Sequence, residues 1–523
     1  MPTFITGFIR PQSVVYQYLV DASVALPSQS PILFIGAGKL TKAYYRSTTE
    51  KGALITREDT SGLSSGEDLF YSGSALTSAN LTTTIIDEAN NEYEMGTDWS
   101  LVVVGTLNYI QWLSVSGARS PDSGVQYVVN FEIPKDPLKD YNPQLFTSLS
   151  SQYTWSGTPG YAYTTGAREV NGSPLINGVG WGAYFAKQNN VGQWYSLELN
   201  PYDEDTIGTE GGPTLIGGGS DPSEVFTTEA NLKIAFTQAL AKSLKVAAWG
   251  IIPCFPMTTT HVSSSAQYTV VNSSLVPVFK SHIKLARGLA HQRFRVGLAG
   301  APLDAEIGVL DPTLLFKELA AAFSLNAFAV IAPSTAKYTI NSIQSNMDGS
   351  MIAAALGGVL SNPSYDPGEP IFNKELAGFD DIEDPFDGQQ KDTMLGAGVL
   401  VVDKETFGIP AIVFDATTAP DEDADSQLKF MRVRDYISVS LNTVLNRLAI
   451  GMRNFQGEAN TEIKRIITSV LTKCVQMKMI NSFTDPVVSQ NSSEKRQVDV
   501  NVTIYLTPDV VWIYNKLGVA VGS

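Results

Sequence analysis

The 523-residue sequence is poor in the residues on which most enzyme chemistry depends. It contains only two cysteines and three histidines, namely Cys254, Cys474, His261, His282 and His291. Two distant cysteines cannot form a zinc motif, and both lie in apolar segments, which predicts buried free thiols of the kind found in a reducing cytoplasm. No histidine has the sequence context of a serine-hydrolase base, and no nucleophile elbow is present. The composition therefore predicts no catalytic, metal or cofactor site.

Two of the histidines, His282 and His291, lie on a predicted helix and at its end, where a surface position or an interaction with the helix dipole is expected. Another candidate for chemistry is the run Gly36-Ala37-Gly38-Lys39 after a predicted strand. It lacks the third glycine of a dinucleotide fingerprint and the upstream glycine of a Walker motif. We therefore expect no phosphate-binding loop.

Positive charge and long apolar runs are also scarce. Lysine and arginine number 36 against 52 acidic residues, which gives a formal charge of −16 and argues against direct binding of nucleic acid through phosphate neutralisation. The most apolar window, residues 319–332, is interrupted by Ser324 and Asn326 and is too short to span a bilayer. No secretory signal pattern is visible at the N-terminus. The acidic runs at 380–384 and 421–423 are expected to be solvated loops.

What the chain has in abundance is alternating secondary structure in its middle part. Residues 76–135 predict antiparallel strands separated by turn residues. From residue 136 onward, helices predicted at 228–244, 274–290 and 311–325 are each followed by an apolar strand. Strands that alternate with helices of this length indicate a mainly parallel α/β sheet.

The C-terminal part predicts two amphipathic helices and a strand. Apolar stripes run from Ile437 to Met452 and from Ile463 to Cys474, with Asn460 as the expected N-cap of the second helix. Residues 497–506 alternate strictly, so that Val498, Val500, Val502 and Ile504 share one face of a strand. We expect this strand to pack on the two helices.

Strand patterns also occur at both ends of the sequence. Residues 14–20 place Val14, Tyr16, Tyr18 and Val20 on one face, and residues 517–521 place Leu517, Val519 and Val521 on another. Each segment could fold back onto its own domain, which is the ordinary fate of a terminal strand. Pro11 and Pro508 set both segments apart, however, and this composition suits arms that augment the sheet of a neighbouring subunit. We predict that these arms and the strand at 498–506 pair between subunits.

One segment departs from the acidic balance of the chain. Residues 431–480 contain eight basic and three acidic residues, a local excess of five positive charges. This asymmetry predicts a surface that meets an acidic partner, whereas the alternative is that the cations only serve helix ends and local pairs. The candidates for contact with a partner are Lys464, Arg465, Lys473 and Lys478.

The C-terminal region carries a series of short segments in a characteristic order: Ser350-Met351-Ile352-Ala353-Ala354-Ala355-Leu356-Gly357-Gly358, residues 370–378, Gly398-Val399-Leu400, residues 408–413, Ala416-Thr417 and Arg432-Val433-Arg434-Asp435-Tyr436. With these segments the region resembles the contractile tail sheath proteins of bacteriophages and related injection machines. The likeness extends over roughly residues 350–521 and lies in order and spacing more than in identity. The middle region also resembles the subtilisin-like domain of these proteins, and residues 109–127 resemble a β-domain of long sheaths.

The resemblance implies an α+β multidomain protein. Its C-terminal α/β sheath core would have exchangeable terminal strands, and an α/β subtilisin-like domain and a small β-rich domain would be inserted. The expected limits are 1–22 for an N-terminal arm, 23–75 for a core or linker segment, 76–135 for the β-rich outer domain, 136–345 for the subtilisin-like domain, 346–506 for the inner sheath domain and 507–523 for a C-terminal arm.

As function, the resemblance implies a non-enzymatic virion subunit, assembled in the host cytoplasm, that polymerises helically around an inner tube and contracts to drive the tube through an envelope. Its partners would be neighbouring sheath subunits, the tail tube protein, the baseplate and the tail terminator. Lys464, Arg465, Lys473 and Lys478 would face the tube. The alternatives are a hydrolase-like α/β enzyme with an accessory β domain and another virion structural protein of the tube or baseplate.

Overall fold

The structure is a computed structural model. It describes residues 31–50, 67–72, 81, 84–105, 107–156, 178–207, 213–219, 222, 225–257, 273–288, 291, 293–303, 312–340, 343–382, 386–404, 408–419, 427–451, 457–493 and 497–507.

The described strands are, in chain order, β1 Ile32–Gly36, β2 Thr41–Glu50, β3 Glu67–Ser72, β4 Thr84–Asp87, β5 Glu92–Glu94, β6 Trp99–Val104, β7 Leu107–Trp112, β8 Gln126–Pro134, β9 Gln144–Phe146, β10 Trp194–Glu198, β11 Gly250–Pro253, β12 Val296–Gly300, β13 Phe328–Ala332, β14 Thr335–Ile340, β15 Ile343–Asp348, β16 Asp381–Ile382, β17 Val399–Lys404, β18 Pro410–Phe414, β19 Ile480–Phe483, β20 Val487–Gln490, β21 Val498–Asn501 and β22 Ile504–Leu506.

The described α-helices are α1 Leu149–Ser156, α2 Gly178–Gln188, α3 Glu229–Ser243, α4 Leu275–Arg287, α5 Pro312–Phe323, α6 Gly349–Leu360, α7 Gly388–Gly396, α8 Leu428–Leu448 and α9 Glu458–Gln476. Short 3-10 turns lie at Glu204–Thr206, Ile216–Gly218 and Val225–Thr227. None of the described helices combines the length and the apolar character needed to span a bilayer.

An eight-stranded sheet forms the centre of the molecule, in the order β18-β17-β13-β12-β11-β1-β10-β9. The six inner strands are parallel, and the two edge strands β18 and β9 run antiparallel to their neighbours. The inner strands are short and almost wholly buried, as expected when helices cover both faces of a parallel sheet. This confirms the predicted mixed α/β class with a mainly parallel sheet.

Two apolar layers hold helices against the faces of this sheet. On one face, aromatic side chains of α3, α4 and α5, among them Phe236, Phe279 and Phe316, pack with residues of β11 to β13. On the other face, α2 and α6 contribute Trp181, Phe185 and the twelve residues of α6, all of which are buried. A helix that is apolar all round, as α6 is, has to lie inside the protein.

The small β-rich unit is inserted between β1 and β9 of the central sheet. It consists of the sheet β2-β8-β4-β5 and the sheet β3-β7-β6, which enclose a separate core around Ile85, Trp99, Ile110 and Tyr127. The antiparallel strands predicted between 76 and 135 are therefore present. Three further small sheets, β15-β14-β16, β19-β22 and β20-β21, lie elsewhere in the described part of the chain.

The central sheet draws on strands from three of the predicted domains. β1 comes from the segment before residue 75, β10 to β13 from the segment 136–345, and β17 and β18 from beyond residue 345. Hydrogen-bonded strands therefore lie on both sides of the predicted limit at 345, because parallel strands join in an order that the chain order does not set. The domain limits themselves stay predictions.

The predicted helix at 274–290 and the predicted strand at 246–252 are both shorter than expected. Helix α4 ends at Arg287, and the N–H of the following Gly288 donates to the carbonyls of Lys284 and Leu285 in the last turn. Strand β11 begins only at Gly250, and the Val246 carbonyl, which the prediction placed in the sheet, instead accepts a bond from the guanidinium of Arg295. A side chain distant in the sequence thus binds the backbone at the predicted start of this element.

Candidate interaction surface and buried networks

Helices α8 and α9 pack against each other through the two predicted apolar stripes. Val444 of α8 lies in one buried cluster with Ile466 and Val470 of α9. In a second cluster, Val433 and Ile437 of α8 pack with Ile467, Leu471 and Cys474 of α9. The stripes predicted from the sequence are therefore the contact between the two helices. Met452, at the end of the first stripe, lies outside the described residues.

A bent β-hairpin covers one side of this helix pair. β19 pairs with β22, and β20 pairs with β21. Between the two ladders, the Thr484 N–H donates to the Thr503 carbonyl at 2.9 Å and the Thr503 N–H donates to Thr484 Oγ1 at 2.9 Å. These two bonds continue the pairing through the bend, so residues 480–493 and 497–506 form one structure, here called the C-terminal hairpin.

The hairpin corrects the prediction of one unbroken strand at 497–506. The chain forms two short strands, β21 and β22, that are interrupted at Val502 and Thr503. Val498, Val502 and Ile504 are half-buried on the two sides of the break, as the alternation predicts. Val502 and Ile504 also pack against the helix pair. Val500, predicted on the same face, is exposed, so the prediction is wrong at this position.

Part of the hairpin is apolar and open to solvent. Val487 is 63% exposed, Tyr505 is 51% exposed and Val500 is 41% exposed. Each strand of the hairpin pairs with one other strand, so among the described residues the outer edges of the hairpin have no strand partner. Unpaired edges of this kind are templates for an added strand. The predicted arm residues Val14, Tyr16, Tyr18, Val20, Leu517, Val519 and Val521 lie outside the described residues.

The four predicted partner-facing cations lie on α9 and just after it. Lys464 forms an ion pair with Asp485 of the hairpin at 2.5 Å, and Arg465 forms one with Glu462 on its own helix at 2.5 Å. The bond from Arg465 lowers the pKa of Glu462, and the same bond raises the pKa of Arg465.

The remaining two candidates differ in exposure. Lys473 is half-buried, whereas Lys478 is exposed on a residue with a positive φ of 59°. The structure brings all four onto one helix and the turn that follows it.

One correction concerns this region. Helix α9 begins at Glu458 after Gly457, so Asn460 lies inside the first turn and is not the N-cap. Arg432 and Asp435 are buried, but their charges are opposite, so their burial leaves the local excess of five positive charges unchanged. Gly457 can take this position because its φ of 85° lies in the left-handed region that glycine tolerates.

Buried Asp435 joins the helix pair to the central α/β body. Its carboxylate accepts two bonds from Arg287 at the end of α4, at 2.6 and 2.9 Å, and one from Trp249 Nε1 at 3.1 Å. The Asp435 side chain is 1% exposed. The sequence shows Asp435 only as part of the Arg-Val-Arg-Asp-Tyr segment and predicts no role for it. A carboxylate on an otherwise apolar helix face is the one signal that could have marked it.

The nearest approach to a hydrolytic pair is Ser243 with His282. Ser243 Oγ lies 3.2 Å from His282 Nε2, and Arg295 Nη1 lies 2.9 Å from Ser243 Oγ and 3.1 Å from His282 Nε2. A histidine base takes the serine proton on Nε2 while a carboxylate binds its Nδ1, but here the Arg295 guanidinium contacts the same Nε2 that faces Ser243. Burial and the charge of Arg295 lower the pKa of His282 to about 3. We therefore interpret this network as a structural link.

This network also corrects the expected position of His282, which is buried and not on the helix surface. The reason is that α4 turns it toward Ser243 at the end of α3. His291 is exposed, and His261 lies outside the described residues. Among the residues that the structure describes, no three histidine, cysteine, aspartate or glutamate side chains converge closely enough to hold a metal ion.

A buried ion pair lies where the small β-rich unit joins the central sheet. Lys135, directly after β8, contacts Glu198 at the end of β10, and its ammonium group lies 4.8 Å above the Trp155 ring. Gly38 packs against the same carboxylate, since a Cβ there would lie 2.0 Å from Glu198 Oε1. Burial raises the pKa of Glu198 to about 7, although the Lys135 charge opposes this rise. Burial likewise lowers the pKa of Lys135.

Replacing Lys135 with methionine is expected to destabilise the protein more at pH 8 than at pH 5, by roughly 1–3 kcal/mol. Because the folded pKa of Glu198 is raised, its contribution to stability is present at low pH and is lost as the pH rises through about 7. Without Lys135 the pKa rises further, so the loss becomes larger. Denaturant unfolding at both pH values measures this. Lys139→Met, which removes a largely exposed lysine nearby, should show no such pH dependence.

The chain was compared with protein families, curated proteins and solved structures, and only solved structures matched it. No family model matches the chain, and no curated protein matches it. The similar solved structures are sheath proteins and parts of contractile injection systems. All of these likenesses have TM-scores below 0.5 and low sequence identity.

In three of these comparisons the match extends over most of this chain and most of the other chain. The baseplate of the anti-feeding prophage matches with a TM-score of 0.49 at 12% identity, over 74% of this chain and 90% of the other. The contracted helical sheath of the same system matches with a TM-score of 0.47 at 11% identity, over 74% and 90%. The sheath tail protein of Listeria innocua matches with a TM-score of 0.44 at 10% identity, over 92% and 93%.

Proposed function

We propose that this chain is the structural subunit of a contractile tail sheath. It polymerises helically around an inner tube and contracts to drive the tube through a cell envelope, as part of a virion whose tail is assembled in the host cytoplasm. Its other partners are the baseplate and the tail terminator. In this proposal the helix pair and hairpin belong to an inner sheath domain, and the subtilisin-like and β-rich parts are inserted domains.

The observation that carries the proposal is the C-terminal hairpin. It presents strand edges that have no partner in the described part of the chain, together with the exposed side chains of Val487, Val500 and Tyr505. The two terminal segments have the pattern of strands that could fill these edges. About five added ladder bonds at roughly 1 kcal/mol each would hold an arm while the bodies rotate, which is what contraction without loss of connectivity requires.

A hydrolase is the alternative that the sequence left open, and the buried networks do not favour it. In the Ser243–His282 contact a guanidinium binds both Ser243 Oγ and the His282 Nε2 that would have to accept the serine proton, and both residues are buried. We therefore propose that the chain has no catalytic activity and that contraction uses conformational energy stored at assembly.

Electron microscopy of the concentrated protein tests the sheath proposal. The full chain is expected to form wide, hollow, striated cylinders, whereas a monomeric enzyme would not. Deleting residues 1–22 should abolish the cylinders and leave a folded subunit, since the arm would be lost and the body kept. The thermal midpoint and the circular dichroism spectrum provide the folding control. Normal cylinders from the truncated chain would contradict the arm exchange.

The exposed hairpin allows a matched test by point substitution. Val500→Asp places a charge on the proposed recipient strand and should prevent cylinder formation. Val115→Asp introduces the same charge at a valine that is 63% exposed in the small β-rich unit, and this variant should assemble normally.

The tube contact is proposed to use Lys464, Arg465, Lys473 and Lys478. Reversing all four to glutamate should weaken binding to an acidic tube by about tenfold or more, and salt should weaken the binding of the unmodified chain in the same direction. Co-sedimentation with tubes measures both effects. Asp485→Asn with Glu462→Gln removes the two in-chain carboxylates and should strengthen binding. Binding that ignores both changes would remove these residues from the tube contact.

A further inference from the structure

A long internal segment of this acidic chain contains no acidic residue at all. Between Glu229 and Asp304 there are 74 residues with eight lysines and arginines and no aspartate or glutamate. Since the whole chain carries −16, the remainder carries a formal charge of −24. Charge segregated this strongly produces a local field that attracts an acidic surface.

Some of these cations are satisfied inside the protein. Lys242 pairs with Glu204, Arg287 pairs with Asp435, and Arg295 donates to the carbonyls of Ser243 and Val246. These three cations therefore have partners within the protein and help to hold α3, α4 and α8 in place. The other basic residues of the segment need a different account.

The remaining cations include Lys245, Lys284 and Arg293, which are exposed, as is His291. Their side chains form no ion pair within the described residues. They lie close together because Arg295 holds the loop after α3 beside the loop before β12, and the Arg293 N–H donates to the Ala286 carbonyl at 2.8 Å.

Among these cations lies one large apolar side chain, Leu285, which is 52% exposed on the last turn of α4. We call the surface formed by Lys245, Lys284, Leu285, His291 and Arg293 the basic edge. A leucine surrounded by unpaired cations is suited to a partner that offers apolar and acidic groups together.

The small β-rich unit presents the complementary chemistry. Ile86 of β4 lies directly opposite Val128 of β8 on one side and opposite Glu92 of β5 on the other. Ile86 is 39% exposed and Val128 is 37% exposed, and Glu92 and Glu94 are exposed. The residues between them point to the core of this unit. We call Ile86, Glu92, Glu94 and Val128 the acidic face.

We propose that the basic edge of one copy of this chain docks on the acidic face of a second copy. The inference rests on the proposed function only in that copies of the chain associate. Both surfaces carry an exposed aliphatic centre. The charged side chains named around Leu285 are basic, and those named around Ile86 and Val128 are acidic, while the neighbouring Arg119 is paired with buried Asp98. The contact joins two different surfaces, so it continues from copy to copy and builds an open polymer. Exposed charge pairs are individually weak, so the contact is sensitive to salt.

Disulfide trapping in the full chain tests the contact directly. One preparation carries Leu285→Cys and the other carries Val128→Cys; the native Cys254 and Cys474 are buried and contribute little background. We expect the mixture to form a heterodimeric disulfide under mild oxidation. As the matched control, Ile234→Cys, which is 44% exposed on α3, should not cross-link to Val128→Cys. Equal cross-linking of both pairs, or none, would overturn the proposal.

Charge reversal supplies the second measurement. Lys284→Glu with Arg293→Glu should lower the cross-linking yield by about tenfold at low salt, and Glu92→Lys with Glu94→Lys in the other preparation should restore it. Lys233→Glu, an exposed change of the same charge on α3, should have no effect. Yields that are indifferent to the reversal would count against the basic edge.

The same samples separate this inference from the sheath proposal. Cylinders without the Leu285–Val128 disulfide would leave the sheath proposal intact and refute this contact. The disulfide without cylinders would support this contact and count against the sheath.

Discussion

Replacing Asp435 with alanine is expected to lower the free energy of unfolding by about 3–5 kcal/mol, the usual cost of breaking a buried ion pair from one side. The substitution removes the carboxylate acceptor of the Arg287 guanidinium and of the Trp249 indole N–H, and leaves Arg287 only the Arg295 carbonyl. Because these groups come from α4 and from the turn before β11, the helix pair would lose one of its polar attachments to the central body. Denaturant unfolding followed by circular dichroism measures the loss.

A double variant separates the charge effect from lost packing. Asp435→Ala with Arg287→Met removes both partners, so no uncompensated cation remains, and this variant should be more stable than Asp435→Ala alone. Glu462→Ala removes an exposed partner of Arg465 and should cost less than about 1 kcal/mol. If the double variant were less stable than the single one, the carboxylate would act through packing rather than through its charge.

Gly300→Ala is expected to be the most damaging small substitution in the central sheet, costing about 3 kcal/mol or more. A Cβ at this position would lie 2.0 Å from the Gly349 carbonyl carbon and 2.2 Å from the Ser350 amide nitrogen. All nearby atoms are backbone, so the end of β12 and the start of α6 would have to separate. Since α6 is buried along its whole length, this separation would open the core on that side of the sheet.

Gly396→Ala is the matched control for this prediction. Gly396 is the last residue of α7, and a Cβ there would meet no atom within 4 Å. The change should be neutral or slightly stabilising, because alanine restricts the unfolded chain. Thermal unfolding of the two variants compares the same chemical change in a closed and an open setting. A Gly300→Ala protein as stable as the Gly396→Ala protein would contradict the close approach of β12 and α6.

Hydrophobic period was enough to locate many of the elements that carry the proposed function. The two stripes on α8 and α9, the half-buried Val498, Val502 and Ile504, and strands β1, β11, β12 and β13 of the central sheet were predictable, because burial of one face is recorded in every second, third or fourth residue. The positions of Lys464, Arg465, Lys473 and Lys478 on one helix and its end followed from the same pattern.

The features that join these elements were not predictable in this way. The roles of Asp435, Arg295 and the Lys135–Glu198 pair depend on partners distant in the sequence, and no local pattern reports a partner of that kind. The break between β21 and β22 likewise depends on Thr484, which comes from the opposite strand.

The sequence by itself determined the class of the fold, the two amphipathic helices of the C-terminal region and the absence of familiar catalytic and metal-binding motifs. All of these follow from composition and from spacing along the chain. Only the tertiary structure decided that strands from residue 32 to residue 414 share one sheet, that His282 is held by an arginine, and that Leu285 lies among unpaired cations. The physical reason is that side-chain hydrogen bonds and charges act through space, whereas periodicity is recorded along the chain.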